Sequence, residues 1–360
     1  MPGIISEPQA FAQLCVTLTG QRELGLDTEF MRERTYFAQL CLLQLSWSSE
    51  AVCIDTLALT DLSELRPVMR SSATRKIVHA ARQDLEVLWP VSGGLDGVFD
   101  TQIAAALAGL PAQIGYADLT QTLLGRSLHK SQTRTDWSRR PLSAAQVDYA
   151  LDDVRYLPEL AARLQQRLMQ LGRWSWFEEE MVELNGGQSF QIDPQQAWRR
   201  LKGFGDLDEA RRSLARALAA WREQRAIDAD RPRNWILPDP VLRDIVGSVP
   251  RTTQQLAAIA ELPEGVLRHS GAEILALIDS LALPARLPPL VSRRRPDPAE
   301  TETVRRLAQL TRETGRELGI APEVLATRRD MERLVSGERD AGPLSGWRRA
   351  VIGERLLQAL

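Results

Sequence analysis

The chain has 360 residues, of which 44% are hydrophobic and 26% are charged, a balance typical of folded globular proteins that excludes disordered and fibrous architectures. No apolar run approaches the roughly 20 residues that a membrane-spanning helix needs, and the N-terminus has no basic segment followed by an apolar one. We therefore expect a cytoplasmic protein without membrane association. The three cysteines, Cys15, Cys41 and Cys53, form no closely spaced pair, which argues against a disulfide framework and a zinc site.

The net charge of −2 conceals an asymmetry between the two parts of the chain. Residues 1–200 contain 19 basic and 24 acidic residues, a net charge of −5, whereas residues 201–360 contain 26 and 23, a net charge of +3. An acidic first part suits a carboxylate-rich site, and a basic second part suits contact with an anionic partner.

The first 80 residues contain the strand-like segments. Apolar or alternating runs at 23–30, 35–47 and 51–57 are separated by short polar turns and predict an antiparallel meander. A short helical segment then leads to a further strand at 76–80. We therefore predict one sheet, in which the strand at 76–80 joins the meander after a crossover connection.

From residue 81 the pattern is helical. Apolar residues recur at spacings of three and four, and the last helical run begins at Ser143 as its N-cap and contains Pro158 as a point of interruption. The helical runs are 81–89, 101–110, 117–124 and 143–171. A mixed sheet flanked by helices, an α/β fold, is therefore predicted for residues 1–195.

The rest of the chain predicts only helices. Residues 207–285 show helical periods broken by prolines and form a small all-α domain with Trp235 in its core. The Pro- and Arg-rich segment 283–298 is typical of a linker. Residues 299–360 are again helical, and we interpret them as a second, degenerate copy of the preceding all-α domain.

Four carboxylates and one phenol are the candidate chemical groups. Asp27 and Glu29 lie two residues apart in the first long strand, so both side chains project from one face of the sheet. Asp84 lies where a strand gives way to a helix. Tyr149 and Asp153 are four residues apart on one helical face. Taken singly, these residues also fit an exposed acidic patch, a helix N-cap and a solvated helical surface.

Together, the four carboxylates favour a site for divalent cations. Oxygen ligands suit Mg²⁺ and Mn²⁺ better than zinc. The three histidines of the chain form no pair at helical ligand spacing. We therefore expect a magnesium or manganese site rather than a zinc site.

Three segments resemble the exonuclease motifs of the DEDD superfamily. They are LDTEF (26–30), VHAARQDLEVL (78–88) and YALDDVRYL (149–157), and the Tyr-x-x-x-Asp form of the last resembles the tyrosine branch. The segment 130–142 and the similarity of residues 211–245 to the helical domain shared by RecQ helicases and ribonuclease D make ribonuclease D the closest family. The resemblance covers most of residues 23–285.

This resemblance implies a ribonuclease H-like catalytic domain followed by two small helical domains that position RNA. It implies a 3′-5′ exoribonuclease that releases mononucleotides with two divalent cations, Mg²⁺ or Mn²⁺. Asp27, Glu29 and Asp153 would bind one cation, Asp27 would bridge to the second, and Asp84 would hold the second directly or through water. Tyr149 would orient the attacking water. The implied partner is RNA, tRNA precursors in particular, and no phosphate-binding loop for a nucleotide cofactor occurs in the sequence.

Six residues near the motifs are candidate substrate contacts. Some flank the acids and others form a basic segment around Trp137: Phe30, Met31, Gln83, Lys130, Arg134 and Arg140. Phe30 equally fits a core position, and the basic segment equally fits an anchor in which Trp137 is buried and Arg140 pairs with an acid. His79 ends an apolar strand and is expected to be a core residue or to support the site rather than bind metal.

Two other functions are compatible with parts of this pattern. A DNA 3′-5′ exonuclease of the same superfamily would use the same acids, because discrimination of RNA depends on contacts to the 2′-hydroxyl. A noncatalytic RNA-binding module is disfavoured by the complete set of acids. We expect residues 1–200 to be a self-sufficient catalytic unit. Five arginines of the helical domain fit a solvated surface and phosphate contact equally: Arg211, Arg212, Arg216, Arg222 and Arg225.

Overall fold

The computed structural model describes residues 3–128, 135–186, 193–201, 207–281, 283–284 and 297–360. The chain divides into two compact units. Unit 1 comprises Met1–Met31, Leu40–Phe190 and Pro296–Leu360, and unit 2 comprises Arg32–Gln39 and Gln191–Arg295. Among the described helices, none has the length and apolarity to cross a membrane.

Unit 1 is built on a six-stranded mixed sheet with the strand order β1-β4-β3-β2-β5-β6. The strands are β1 (Ile4–Ile5), β2 (Glu23–Met31), β3 (Gln39–Trp47), β4 (Glu50–Asp55), β5 (Arg75–Val78) and β6 (Val98–Asp100). β3 and β4 are antiparallel, whereas β5 runs parallel to both of its neighbours and β1 runs parallel to β4. The predicted mixed sheet is confirmed, but β1 and β6 were missed because segments of two and three residues carry no periodicity.

Helices cover both faces of this sheet. They are α1 (Pro8–Leu18), α2 (Arg66–Met69), α3 (Arg82–Ser92), α4 (Thr101–Leu107), α5 (Tyr116–Leu124), α6 (Ala144–Arg155), α7 (Leu157–Gln170) and α8 (Trp174–Asn185). The predicted helix 143–171 begins at Ser143, whose hydroxyl accepts a hydrogen bond from the backbone of Gln146, and is divided into α6 and α7 at Tyr156.

Alternation along β2 assigns its side chains to the two layers. Leu24 and Leu26 are fully buried in a core with α1 and α3. Gly25 faces the opposite layer, where it lies against the carbonyl of Val154 near the end of α6. Because side chains two residues apart share a face, Asp27 and Glu29 face the α6 layer with Gly25.

The C-terminal residues belong to the core of unit 1. They form α14 (Pro298–Leu318), α15 (Pro322–Leu325), α16 (Arg328–Val335), α17 (Gly346–Arg348) and α18 (Glu354–Gln358). Leu307 and Leu356 are buried in one cluster with Leu160 of α7. The Trp347 ring stacks on Trp176 with centroids 4.4 Å apart. The structure thus differs from the predicted separate domain 299–360 and from a self-sufficient unit 1–200; the relation of this segment to residues 207–285 stays a prediction.

Unit 2 is helical, as predicted. Its helices are α9 (Glu209–Asp228), α10 (Arg233–Ile236), α11 (Asp239–Ser248), α12 (Thr253–Ala257) and α13 (Glu264–Ser280). Leu218 of α9, Ile245 of α11 and Ile274 of α13 are fully buried in its core. The prediction that Trp235 is a core residue is wrong, because 58% of this residue is exposed. Most of the predicted linker lies at 285–296, outside the described residues.

The connection between β2 and β3 includes residues of unit 2. Tyr36 is buried, and its hydroxyl donates a hydrogen bond to the buried carboxylate of Glu223 in α9. The guanidinium of Arg233 lies 4.6 Å from the centre of the Tyr36 ring. The predicted strand 35–47 therefore begins only at Gln39, because the residues before it pack within the helical unit.

Candidate active site

Three carboxylates converge on the α6 side of the sheet. Asp27 and Glu29 come from β2 and Asp153 comes from α6, and one oxygen of each lies within 4.8 Å of the other two. All three side chains are half-buried. The spacing of two in the strand and the placement on the long helix predicted this meeting of side chains.

Asp84 approaches the cluster from the other layer. It is the third residue of α3, whose N-cap is Ala81, and it is only 6% exposed. The hydroxyl of Thr28 donates a hydrogen bond of 2.5 Å to its carboxylate. Asp84 therefore lies beside the three-carboxylate cluster but is not part of it. It is also not the N-cap of α3, which is Ala81.

Burial and mutual repulsion raise the pKa of every acid at the site. Burial raises the pKa of Asp27 well above its ordinary value, and the charges of Asp84, Asp153 and Glu29 add to the effect. Burial, with repulsion from Asp153 and Asp84, raises the pKa of Glu29 to about 8. Burial also raises the pKa of Asp153 to about 7 and that of Asp84 to about 6. At neutral pH the cluster consequently retains protons, which a bound cation would displace.

The donor set fits a hard divalent cation. The cluster contains carboxylate oxygens alone, the ligand type that Mg²⁺, Mn²⁺ and Ca²⁺ prefer. A further polar group is oriented toward the same layer: Gln44 of β3 is fully buried, and neither atom of its amide has a hydrogen-bond partner among the described residues. Gln44 lies two residues from Ser46, which contacts Gly25, so it shares the face of Asp27. The mutual repulsion of these carboxylates indicates a site that a divalent cation would complete.

Tyr149 lies one helical turn before Asp153 on α6. Its ring packs near Trp137, with centroids 6.2 Å apart, and Trp137 is only 4% exposed, which confirms the predicted burial of this tryptophan. The hydroxyl is close enough to Asp153 to lower the pKa of that carboxyl. Burial and the neighbouring acids raise the pKa of Tyr149, so its hydroxyl keeps its proton and can donate a hydrogen bond.

Arg140 has a structural role. Its guanidinium forms two hydrogen bonds with Asp55, at 2.7 and 2.8 Å. Its other donors bond the backbone carbonyls of Trp137, Arg139 and Cys41. Because these bonds use all five N–H groups of the guanidinium, Arg140 anchors its segment to the sheet and the predicted phosphate contact is not retained. Lys130 and Arg134 lie outside the described residues.

The remaining predicted residues occupy different environments. Phe30 and Met31 are half-buried at the end of β2, and Gln83 is exposed directly before Asp84. His79 contacts the Thr101 hydroxyl and the Ile114 carbonyl through its two ring nitrogens, each at 2.9 Å, and burial lowers its pKa. His79 is therefore a structural residue, one of the two roles expected for it.

Three residues that contact the site elements were missed. Thr28, which bonds Asp84, could have been found from its position between the two acids of β2. Asp55 and Tyr116 carry no local sequence signal, because their hydrogen-bond partners, Arg140 and Asp152, lie 85 and 36 residues away in the chain. Such contacts follow from the tertiary structure alone.

Comparison with known proteins agrees with this geometry. A family model described as 3′-5′ exonuclease matches residues 2–169, and one described as HRDC domain matches residues 211–278. The chain is 37% identical to ribonuclease D of Granulibacter bethesdensis, covering 99% of this chain and 92% of that protein. It is 36% identical to ribonuclease D of Nitrobacter hamburgensis, covering 98% and 94%.

A solved structure shows the same fold over the whole chain. The crystal structure of Escherichia coli RNase D, described as an exoribonuclease involved in structured RNA processing, matches with a TM-score of 0.87 and 30% identity, covering 99% of this chain and 98% of that one. The match confirms the predicted ribonuclease H-like exonuclease domain with a helical region after it. With this identity sustained over nearly the full chain, the protein belongs to the ribonuclease D family of 3′-5′ exoribonucleases.

Proposed function

We propose that this exoribonuclease trims structured RNA precursors, tRNA precursors among them, and releases 5′-mononucleotides with two divalent cations, Mg²⁺ or Mn²⁺. The cluster of Asp27, Glu29 and Asp153, with Asp84 beside it, is the observation that carries the proposal. The substrate class is supported by the structured RNA processing described for the Escherichia coli relative.

The four acids would divide between two cations. Asp27, Glu29 and Asp153 would hold one, Asp27 would bridge to the second, and Asp84 would hold the second directly or through water. When bound, the cations supply the positive charge that activates a water molecule and neutralises the leaving 3′ oxygen in an in-line displacement. The Thr28 hydroxyl would orient the Asp84 carboxylate by its hydrogen bond.

Tyr149 would orient the attacking water. Its raised pKa keeps the hydroxyl protonated, so the phenol can donate a hydrogen bond to the water oxygen. The Tyr149 ring packs near the buried Trp137, which supports its placement beside Asp153. Phe30, Met31 and Gln83 would contact the terminal nucleotides, with the aromatic ring available to stack on a base.

Unit 2 would contact the body of a longer RNA. Arg211 and Arg222 each form an ion pair of 2.6 Å, with Asp208 and Asp239, and are almost fully buried. Arg216 lies 3.9 Å from Glu209 and stacks on Trp198, with its guanidinium 4.7 Å from the ring centre. A flat guanidinium on an indole leaves its edge available for phosphate, so the Arg216–Trp198 pair is the RNA contact that we favour on α9.

The test compares the hydrolysis of RNA and of DNA by the wild-type protein and by its substituted variants. Purified protein is incubated with a 3′-extended tRNA or a DNA of matched length, with Mg²⁺ or Mn²⁺, and the released nucleotides are identified. We expect Asp27→Asn to abolish hydrolysis and to retain RNA binding, because the side chain loses its charge but little volume. Glu29→Gln and Asp153→Asn should act alike, and Asp84→Asn should cause the mildest loss.

Asp148→Asn is the matched control. Asp148 is an exposed carboxylate on α6, next to Tyr149 and outside the cluster, so its substitution should leave turnover unchanged. Near wild-type turnover by Asp27→Asn would refute the proposed site. Faster degradation of the DNA than of the tRNA would refute the proposed substrate and leave the site intact.

A further inference from the structure

The long helix that carries Asp153 is broken directly after it. α6 ends at Arg155 and α7 begins at Leu157, with Tyr156 between them. Pro158 is one cause, since proline has no N–H to donate to the carbonyl of Val154 and its ring crowds that carbonyl. The break therefore frees backbone groups that must find other partners.

Two side-chain hydroxyls form hydrogen bonds with these backbone groups. The Tyr116 hydroxyl, from α5, donates to the carbonyl of Asp152 at 2.9 Å and accepts at 3.2 Å from the N–H of Tyr156, which also bonds the carbonyl of Val154. In an unbroken helix these two backbone groups would bond directly to each other. The Ser46 hydroxyl, from β3, donates to the carbonyl of Val154 at 2.7 Å.

The two bonded carbonyls lie on either side of Asp153. Tyr116 binds the carbonyl of Asp152, and Ser46 binds the carbonyl of Val154. Close approach of β2 is also needed here, because a Cβ on Gly25 would lie 2.2 Å from the Ser46 hydroxyl oxygen and 2.9 Å from the Val154 carbonyl. The backbone around Asp153 is thus held from a helix on one side and from the sheet on the other.

We infer that Tyr116 and Ser46 are positioning residues that hold the α6–α7 break open and thereby orient Asp153 toward the metal site. Pro158 causes the break, and the two hydroxyls determine how the backbone on each side of it is oriented. Without the Tyr116 hydroxyl, the N–H of Tyr156 can bond the carbonyl of Asp152 directly, which rewinds the turn that contains Asp153. The inference rests on the proposed role of Asp153 as a metal ligand.

The test measures Mn²⁺ binding to the full-length protein by titration calorimetry. Tyr116→Phe removes the bridging hydroxyl and keeps the ring, and we expect it to raise the Kd for Mn²⁺ roughly tenfold, the size typical of lost support behind a metal ligand. Ser46→Ala should change the Kd in the same direction and gives a second variant should Tyr116→Phe fold poorly. The KM for a short RNA should stay unchanged at saturating Mn²⁺.

Tyr156→Phe is the matched control. It removes a phenol hydroxyl at the same break, but this hydroxyl has no hydrogen-bond partner among the described residues and the backbone N–H remains. Its Kd for Mn²⁺ should equal that of the wild type. Equal Kd values for Tyr116→Phe, Ser46→Ala and Tyr156→Phe would overturn the inference, whatever their melting temperatures.

A double substitution separates positioning from general destabilisation. If Tyr116 acts through Asp153, adding Tyr116→Phe to Asp153→Asn should cause no further loss of Mn²⁺ affinity, because the two changes remove the same interaction. Full additivity of the two losses would overturn the inference. If Asp153→Asn alone leaves the Kd unchanged, the proposed metal site fails first, and this outcome is distinct from a failure of Tyr116 alone.

Discussion

Thr28 donates a 2.5 Å hydrogen bond to Asp84, although its neighbours Asp27 and Glu29 face the opposite side of the same strand. Because side chains of β2 alternate, this one strand contacts both helical layers. Asp153 reaches it from α6, and Asp84 reaches it from α3. The four acids are thus brought together across the sheet, with β2 as the element that they share.

The Thr28–Asp84 bond is expected to hold down the pKa of the Asp84 carboxyl. The hydrogen bond lowers the pKa of Asp84, which burial has raised to about 6. Thr28→Val should therefore raise this pKa further, by about one unit, and shift the titration profile of the Asp84 carboxyl, followed by NMR in the metal-free protein, to higher pH. Thr28→Ser retains the hydroxyl and should superimpose on the wild type. Coinciding profiles for the Thr28→Val and Thr28→Ser variants would contradict the prediction.

The raised pKa of Glu29 makes the stability of the metal-free protein depend on pH. The folded value is about 8 and the ordinary value 4.5, so the folded state binds the proton more tightly. This contribution to stability is complete below pH 4.5 and is lost as the pH rises through about 8. Glu29→Gln carries no charge and should melt at a higher temperature than the wild type at pH 8.5, but at the same temperature at pH 4.5.

Thermal unfolding in a metal chelator at these two pH values measures the effect. Asp148→Asn, which removes an exposed carboxylate of the same layer, should leave both melting temperatures near those of the wild type. Addition of Mn²⁺ at pH 8.5 should stabilise the wild type more than Glu29→Gln, because the cation needs the charge that the substitution removes. If Glu29→Gln melts at a lower temperature than the wild type at pH 8.5 without metal, charge repulsion at Glu29 is not the dominant effect.

Tyr149→Phe removes one hydroxyl and preserves the packing against Trp137. If the hydroxyl orients the attacking water, kcat should fall roughly 10²-fold with little change in KM, the pattern of an interaction made mainly in the transition state. Steady-state kinetics on a short RNA measure both constants. A change confined to KM would instead place Tyr149 in substrate binding, and Tyr156→Phe serves as the control for loss of a phenol.

The proposed RNA contact of unit 2 predicts a change in salt dependence. Removal of one cationic side chain that binds a phosphate should reduce the slope of log K against log salt by about one. Arg216→Gln should therefore weaken binding of a long structured RNA and reduce this slope, whereas Arg225→Gln, whose arginine pairs with Glu273, should not. Short single-stranded oligonucleotides should be degraded equally by all three proteins. An unchanged slope for Arg216→Gln would contradict the prediction.

The C-terminal helices are expected to stabilise the exonuclease core. Trp347 is 5% exposed and stacks on Trp176, and its indole N–H bonds Glu180 at 2.7 Å. Trp347→Ala should lower the free energy of unfolding by about 3–5 kcal/mol, the cost of removing a large buried aromatic side chain. Trp235→Ala, at an exposed tryptophan, should cost less than about 0.5 kcal/mol. Equal losses in denaturant unfolding would contradict this assignment.

The local periodicity of the sequence was sufficient to predict the central strands and helices and the faces on which the candidate acids lie. A spacing of two in β2 placed Asp27 and Glu29 on one face, and a spacing of four placed Tyr149 and Asp153 together on α6. The cap at Ser143 was also visible, because its partner Gln146 lies within one helical turn. These features depend only on the periodicity of strands and helices, which neighbouring residues carry.

Other features depend on contacts between residues far apart in the chain, and only the tertiary structure decided them. The sequence left Arg140 open between a phosphate contact and an anchor paired with an acid, and the structure decides for the anchor, because Asp55 and three backbone carbonyls accept hydrogen bonds from all of its donors. Residues 299–360 were interpreted as a separate domain, because their helical periodicity does not reveal which surface the apolar face packs against. The sequence by itself determined the type of each central element and the order of the acids; which polar groups were already paired, and which helices shared a core, followed from packing across the folded chain.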